Sequence, residues 1–181
     1  HQRVLGETDI DVLTSLTNLA KLYYEQRRWA DAEPLVRRAL LLHEQVTPAD
    51  HPDRLLAMNN LGQVLVNLRR LDEAEPLLRD CYAAHRRVLG DEHPNTLTAA
   101  NGVCNLLIAQ ENWPEAEPLA RMLVAERGRL LGETHPATIR SLGNLRRVLE
   151  GLGRTDEATQ LAQRIQAARG AQPASGPAAG P

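Results

Sequence analysis

The chain has 181 residues, of which 43% are apolar but only 3% aromatic, with no Phe. A net charge of −2 and a pI of about 6.3 leave no basic footprint for nucleic acid or an anionic membrane surface. Leu and Ala must supply the core, which suits helix-on-helix packing better than a β-sandwich of β-branched and aromatic residues.

No apolar run approaches the roughly 18 residues of a membrane-spanning helix, and neither a signal peptide nor an initiator Met is present. Lys21 is the single Lys among many Arg. With abundant Ala, Gly and Pro, that bias hints at high-GC codon usage and a bacterial source. The expected compartment is the cytoplasm.

The opening "HQRVLGE" matches "HRRVLGD" at 85–91, so residues 1–4 read as the end of a preceding repeat and the chain as a fragment of a longer array. "WADAEPL" at 29–35 returns as "LDEAEPL" at 71–77, "WPEAEPL" at 113–119 and, more faintly, "TDEATQL" at 155–161, a period of 42 residues. The units are repeat one (1–46), repeat two (47–88), repeat three (89–130) and repeat four (131–169), followed by an Ala/Gly/Pro tail at 170–181 expected to be disordered.

Each unit opens with a turn phrase: "LGETDID", "TPADHPD", "LGDEHPN", "LGETHPA". Pro52, Pro94 and Pro136 fit the first position of a helix, where a missing N–H costs nothing; Ile10 stands there in the first unit. The helix that follows, helix A, carries Leu13, Leu16, Leu19, Ala20 and Tyr23 at three- and four-residue steps in repeat one. A short break leads to helix B, with Ala32, Leu35, Val36, Ala39 and Leu40 inward. Pro34, Pro76 and Pro118 are expected in the first turn of helix B, among N–H groups that no intrahelical carbonyl reaches. Asp31, Glu33, Glu73 and Glu75 complement the positive end of the helix dipole there.

Small residues recur where helices approach closely: Ala20, Gly62 and Cys104 on helix A; Ala32, Ala74, Ala116 and Ala158 on helix B; then Ala39 and Cys81. Two helices per unit with small residues at these slots is the tetratricopeptide pattern. The longer unit resembles the kinesin-light-chain subclass, whose consensus runs roughly "LG…HP…TL…NNLA…Y…A(E)PL…RAL". Repeat one gives "TSLTNLAKLYYEQRRWADAEPLVRRALLLHEQV" and repeat two "AMNNLGQVL…LDEAEPLLRDC". The resemblance covers residues 1 to about 169 and implies an all-α, right-handed α-solenoid of four helical hairpins with a disordered C-terminal tail. Repeat four departs from it. Arg146 fills the small slot and Gln160, Gln163, Arg164 and Gln166 give its last helix a polar face, as a solenoid cap requires.

No Walker motif, G-x-S-x-G elbow or H-E-x-x-H is present, so a non-catalytic chain is expected. His51, His93 and His135 recur before Pro, but equivalent positions in stacked hairpins lie roughly 10–20 Å apart, and zinc needs each nitrogen at about 2.1 Å. They are structural residues at the entry to helix A, and no metal or cofactor is expected. His43 and His85 end helix B, where a cation is favoured. Cys81 and Cys104 are expected as free thiols in alanine-sized sites, a disulfide between neighbouring helices being the alternative. Arg27-Arg28, Arg69-Arg70 and Arg86-Arg87 read as solvated loop or helix-end residues.

The helix A faces are more informative. At the period they present Thr17, Asn18 and Lys21; Asn59, Asn60 and Gln63; Asn101 and Asn105; Asn144 and Arg147. Thr14, Tyr24, Val66, Ile108 and Arg140 flank them. An Asn amide offers both donor and acceptor, which suits holding the backbone of an extended peptide. The resemblance implies that role for the matching Asn18, Asn60 and Asn144, with Gly102 interrupting the ladder. Equally, these amides can bridge neighbouring helices and fix their stacking. Lys21 is followed at its period by Gln63 and Asn105, so a carboxylate clamp of the chaperone-binding type is incomplete.

The expected function is a protein-interaction scaffold that takes a peptide segment or partner helix in the groove of the A helices. Asn and Gln would satisfy its backbone, Lys21, Arg140 and Arg147 its acidic groups, and Tyr24, Val66 and Ile108 its apolar anchors. No nucleic-acid, membrane or small-molecule partner is expected. Two alternatives stand beside this: a C-terminal sensor arm of a larger bacterial signalling protein (a nucleotide-binding switch ATPase or Ser/Thr kinase), and a self-associating structural array.

Overall fold

The computed structural model describes residues 7–171, all helical apart from the turns; the side chains of 7–11 and of Thr14, and the tail from 172, lie outside the described residues. The helices are α1 (Glu7–Glu25), α2 (Trp29–Val46), α3 (Pro52–Asn67), α4 (Leu71–Leu89), α5 (Pro94–Ala109), α6 (Trp113–Leu131), α7 (Pro136–Gly151) and α8 (Thr155–Gly170). Odd-numbered helices are the A helices of the repeats and even-numbered ones the B helices. The chain divides into two compact units, His1–Asn112 and Trp113–Pro181.

In the first unit each helix packs on the next, from α1 to α5, and α3 also packs on α5. Leu61, Val64, Leu65, Leu78, Leu106 and Leu107 are at most 2% exposed there. Each such side chain contributes on the order of 1.5–3 kcal/mol of burial. In the second unit α6 packs on α7 and α7 on α8 around Leu123, Leu142, Val148 and Leu149. Helix α8 runs to Gly170 with Ala168 buried, so the core extends one turn beyond Ile165, the last core residue expected.

The starts of the A helices follow the His-Pro pairs. His51, His93 and His135 are the N-caps, with extended backbone, and Nδ1 of each accepts the backbone N–H two residues on, from Asp53, Asn95 and Ala137 at 3.3, 3.1 and 3.1 Å. Histidine thus does here what Ser or Asp does at most helix starts, and proline follows at the first helical position.

The B helices start differently. Arg28, Arg70 and Arg154 sit at their N-caps without a side-chain cap, and the chain turns on a left-handed residue just before: Arg27, Arg69 or Gly153, and Glu111 ahead of α6, at φ of +58, +62, +74 and +57°. Because these helices begin at Trp29, Leu71 and Trp113, the prolines lie one turn deeper than expected. Pro34, Pro76 and Pro118 are sixth in their helices, and the carbonyls their missing N–H groups leave free belong to Ala30, Asp72 and Pro114, inside the helix. All six of these residues are exposed, so the freed carbonyls lie on the solvent side of their helices.

The repeating core is not uniform. Gly62 on α3 lies so close to Leu78 on α4 that an added Cβ would fall 2.5 Å from Leu78 Cγ. Leu19 and Leu22 on α1 are 40% and 48% exposed, whereas their period equivalents on α3, Leu61 and Val64, are buried. Helix α3 packs on the B helix before it and the one after, while α2 is the main packing partner of α1.

Candidate groove between the first two A helices

A groove of about 790 Å³ opens between α1, α2 and α3. Leu13, Ala20, Val36, Ala39, Leu56, Ala57 and Val64 make its surface mostly apolar. Five of the expected site residues line it: Thr17, Asn18, Lys21 and Tyr24 from α1, and Asn60 from α3. The Thr17 hydroxyl donates to the carbonyl of Leu13 at 2.8 Å, and the Tyr24 ring stands edge-on to Trp29 at 4.7 Å. Leu56, 50% exposed, also lines it, although the period gives no sign of it because Thr98 and Arg140 fill its slot elsewhere.

One slot differs between this contact and the next. Asn60 and Gly102 are equivalent by the period. At Gly102 a Cβ would sit 2.8 Å from Asn59 Oδ1 and 2.8 Å from Leu78 Cδ2, so glycine lets α3 and α5 close on each other without displacing these side chains. At position 60 a full asparagine side chain occupies that slot, and the groove faces it. The interruption of the ladder at Gly102 is therefore a closure.

The closed contact takes the other amides. Asn59 is buried, its Oδ1 beside Gly102 and without a hydrogen-bond partner. The Gln63 side-chain carbonyl accepts from Asn105 Nδ2 at 3.1 Å, joining α3 to α5. Val66, two turns beyond Asn59 on the same face, is 9% exposed, and Ile108 is 3% exposed. Neither offers the apolar flank expected of it, because the helix packing has already used that surface. Asn101 is half-buried. Arg140 and Arg147 are exposed and Asn144 half-buried on one face of α7, in the second unit. Thr14 has its side chain outside the described residues.

Two further expectations are corrected. His43 and His85 do not stand free at the ends of their helices. His85 is buried, its Nδ1 donating to the carbonyl of Cys81 at 2.9 Å, and burial pushes the His43 imidazole below its ordinary range. The arginine pairs are not simply solvated. Arg28 pairs with Asp31, Arg86 with Asp91, and Arg69 reaches the carbonyl of Ala109. Arg70 joins a ring in which it holds Glu73 at 2.6 Å and Glu33 at 3.5 Å while Arg37 holds Glu33 at 2.7 Å and Glu73 at 3.3 Å. The same ring recurs two repeats later: Arg154 lies 2.5 Å from Glu157 and 2.6 Å from Glu117, Arg121 2.8 Å from Glu117 and 3.1 Å from Glu157. In between, Asn112 takes the arginine's place in the sequence. Exposed pairs of this kind are screened by solvent and add little to stability. Cys81 and Cys104 are free and buried, Cys81 donating from Sγ to the carbonyl of Leu55. Burial pushes its thiol up to about 12.

Two periodic helices per unit with small residues at the close approaches define a helical repeat scaffold. The pattern of the tetratricopeptide repeat family matches residues 11–84, 53–125 and 97–170, and the chain belongs to that family. Its structural neighbours are kinesin-light-chain-like repeat proteins. One is a Podosopora anserina putative kinesin light chain with nearly identical TPR-like repeats, 24% identical, with a TM-score of 0.68 over 92% of this chain and 78% of that one. A variant of the same protein gives 0.71 over 92% and 77%, again at 24% identity. BtubC (BKLC) from P. vanneervenii is 19% identical, with a TM-score of 0.74 over 93% and 69%. These likenesses show the fold. No curated protein matches the chain. Among the described residues no helix is long and apolar enough to cross a membrane.

Proposed function

We propose that this chain is a protein-interaction module that captures a peptide segment or partner helix in the groove between α1 and α3. Repeats of this family generally mediate protein–protein interaction and are typically non-catalytic scaffolds. The observation that supports a particular site is the groove itself: apolar, about 790 Å³, and edged by the hydroxyl and amide groups of Thr17, Asn18 and Asn60. Apolar walls supply the affinity of such a site, and a few polar groups fix the register of the bound chain.

A photo-crosslinking amino acid placed at Leu56, in the groove, and separately at Gln160, on the exposed side of α8, tests the reading. Crosslinking of one partner from position 56, lost when Asn18 and Asn60 are both replaced by Ala in a chain of unchanged helicity, is the expected result. Crosslinking of that partner from position 160 with none from 56 would move the contact away from the groove and sink the proposal.

A further inference from the structure

Helix α1 differs from the other three A helices on one face. Its Val12, Leu19 and Leu22 are 42%, 40% and 48% exposed, with Ser15 exposed among them. The equivalents of Leu19 (Leu61, Val103 and Leu145) are at most 4% exposed, and those of Leu22 (Val64, Leu106 and Val148) are fully buried. Hydrogen bonds show what covers this face on α7. Arg127 of α6 donates to Ser141 Oγ at 2.8 Å, and its carbonyl accepts from the Thr138 hydroxyl at 3.1 Å. Ser141 and Thr138 are the equivalents of Ser15 and Val12. On α5, Ala99 stands in the Ser15 position and packs with Cys81 and Ala84 of α4. A helix lies along this face in those repeats, and on α1 no described helix does.

The stripe itself indicates what fits it. Val12, Leu16, Leu19 and Tyr23 recur at alternating four- and three-residue steps, the seam of a coiled coil, and none of them is charged or lines the groove. A second copy presents the same seam. Laid antiparallel, it sets Val12 against Tyr23 and Leu16 against Leu19 on both sides of a two-fold axis, and brings Leu22 near the small Ser15. The charges select that direction. By sequence Glu7, Asp9 and Asp11 open α1, while Arg27 and Arg28 follow its close, Arg28 stacked on Tyr23 at 4.4 Å and also holding Asp31. Antiparallel copies set the acidic start level with the basic end, and parallel copies would set like charges together. Head-to-tail stacking on α8 has no such match, because α8 exposes Gln160, Gln163 and Gln166 and no large apolar side chain. We infer that this face of α1 pairs with the same face of a second copy, antiparallel, and closes a two-fold dimer.

The area sets the strength. Helix α1 has 19 residues, so the stripe is about 28 Å long and about 10 Å wide, at the small end of protein interfaces. The dissociation constant is expected to be on the order of micromolar or weaker.

Sedimentation velocity on the full chain, from about 1 to about 200 μM, tests the pairing. A reversible monomer–dimer equilibrium with nothing larger is expected. Leu19→Arg and Leu22→Arg, both at exposed positions, should each weaken it by about tenfold or more with helicity unchanged, since each brings like charges together near the axis. Cys81 and Cys104 are buried, so introduced thiols can report the direction. A Ser15→Cys chain mixed with a Leu22→Cys chain should form a disulfide-linked pair faster than either alone. Faster linking of each chain to itself would show a parallel pair and overturn the arrangement. A monomer at every concentration, leaving the face to a helix of another protein, would overturn the dimer altogether. So would a dimer indifferent to both Arg substitutions, or open-ended assembly. None of these outcomes bears on the groove.

Discussion

Gly62 and Leu78 allow the packing of a hairpin to be tested by exchange. A Cβ on Gly62 would lie 2.5, 2.6 and 3.3 Å from Leu78 Cγ, Cδ2 and Cδ1, and Leu78 is fully buried, so its side chain has no room to withdraw. Overpacking of this kind costs about 1–3 kcal/mol, while Ala gains roughly 1 kcal/mol over Gly in helix propensity. Gly62→Ala should therefore destabilise by up to about 2 kcal/mol. Repeat one carries the compensated pair at the same spacing, Ala20 with Val36. Transplanting it as Gly62→Ala with Leu78→Val should recover most of the loss. By itself Leu78→Val should cost about 1 kcal/mol for the removed methylene. Urea unfolding followed by helical circular dichroism, on the wild type, both single variants and the double, gives the coupling energy directly. A favourable coupling of about 1 kcal/mol or more is expected. Strict additivity would show that Leu78 is not what excludes a side chain at position 62, and would refute the reasoning.

Other consequences are simpler to measure. His93→Ala should lose about 1 kcal/mol by removing the cap of α5, and His93→Ser or His93→Asp should keep most of it; equal losses in all three would show that the Nδ1 bond contributes nothing. Glu111→Gly, which places glycine at a left-handed φ of +57° as Gly153 already does at +74°, should stabilise by a few tenths to about 1 kcal/mol in thermal unfolding, and a loss would contradict it. For Cys81 the folded thiol is held at about 12 against an ordinary 9.0, chiefly by burial. The thiol thus contributes stability that is fully present below pH 9 and is lost as pH rises from about 9 towards 12, by up to about 1.4 kcal/mol per unit. Urea midpoints at about pH 8 and pH 10 should fall further for the wild type than for Cys81→Ala, and parallel behaviour would rule the thiol out as the cause.

Much of the architecture was legible because a 42-residue period repeats the same local physics. Proline at the entry to three of the four A helices, small residues at the close approaches and alternating helical stripes fix eight helices. The B-helix starts were harder to read. They carry no Ser, Thr or Asp cap, and the start is set by a backbone turn at Arg27, Arg69, Glu111 and Gly153, of which only the last advertises a left-handed conformation. Reading the prolines as first-turn residues followed from that missing signal. The arginine rings were overlooked for another reason. Glu33 and Arg70 are neighbours only after successive B helices are set side by side, and neither charge is unusual in its own helix.

The candidate site was half legible, and the missing half has one physical cause. A period assigns every equivalent residue the same role, but a slot between two helices is shared, and its role depends on what faces it. Asn59 and Thr17 are equivalent; Asn59 meets Gly102 and is buried, while Thr17 is exposed and lines the groove with Asn60. His43 and His85 are equivalent as well, and only His85 has spent its nitrogen on a carbonyl. Replacing Asn60 with Gly should therefore do to α1 and α3 what Gly102 permits between α3 and α5. The helices close, the groove fills, and any partner bound there is lost while stability is kept or gained. The reverse exchange, Gly102→Asn, forces Asn59 and Leu78 aside and should separate α3 from α5 at a cost of about 1–3 kcal/mol.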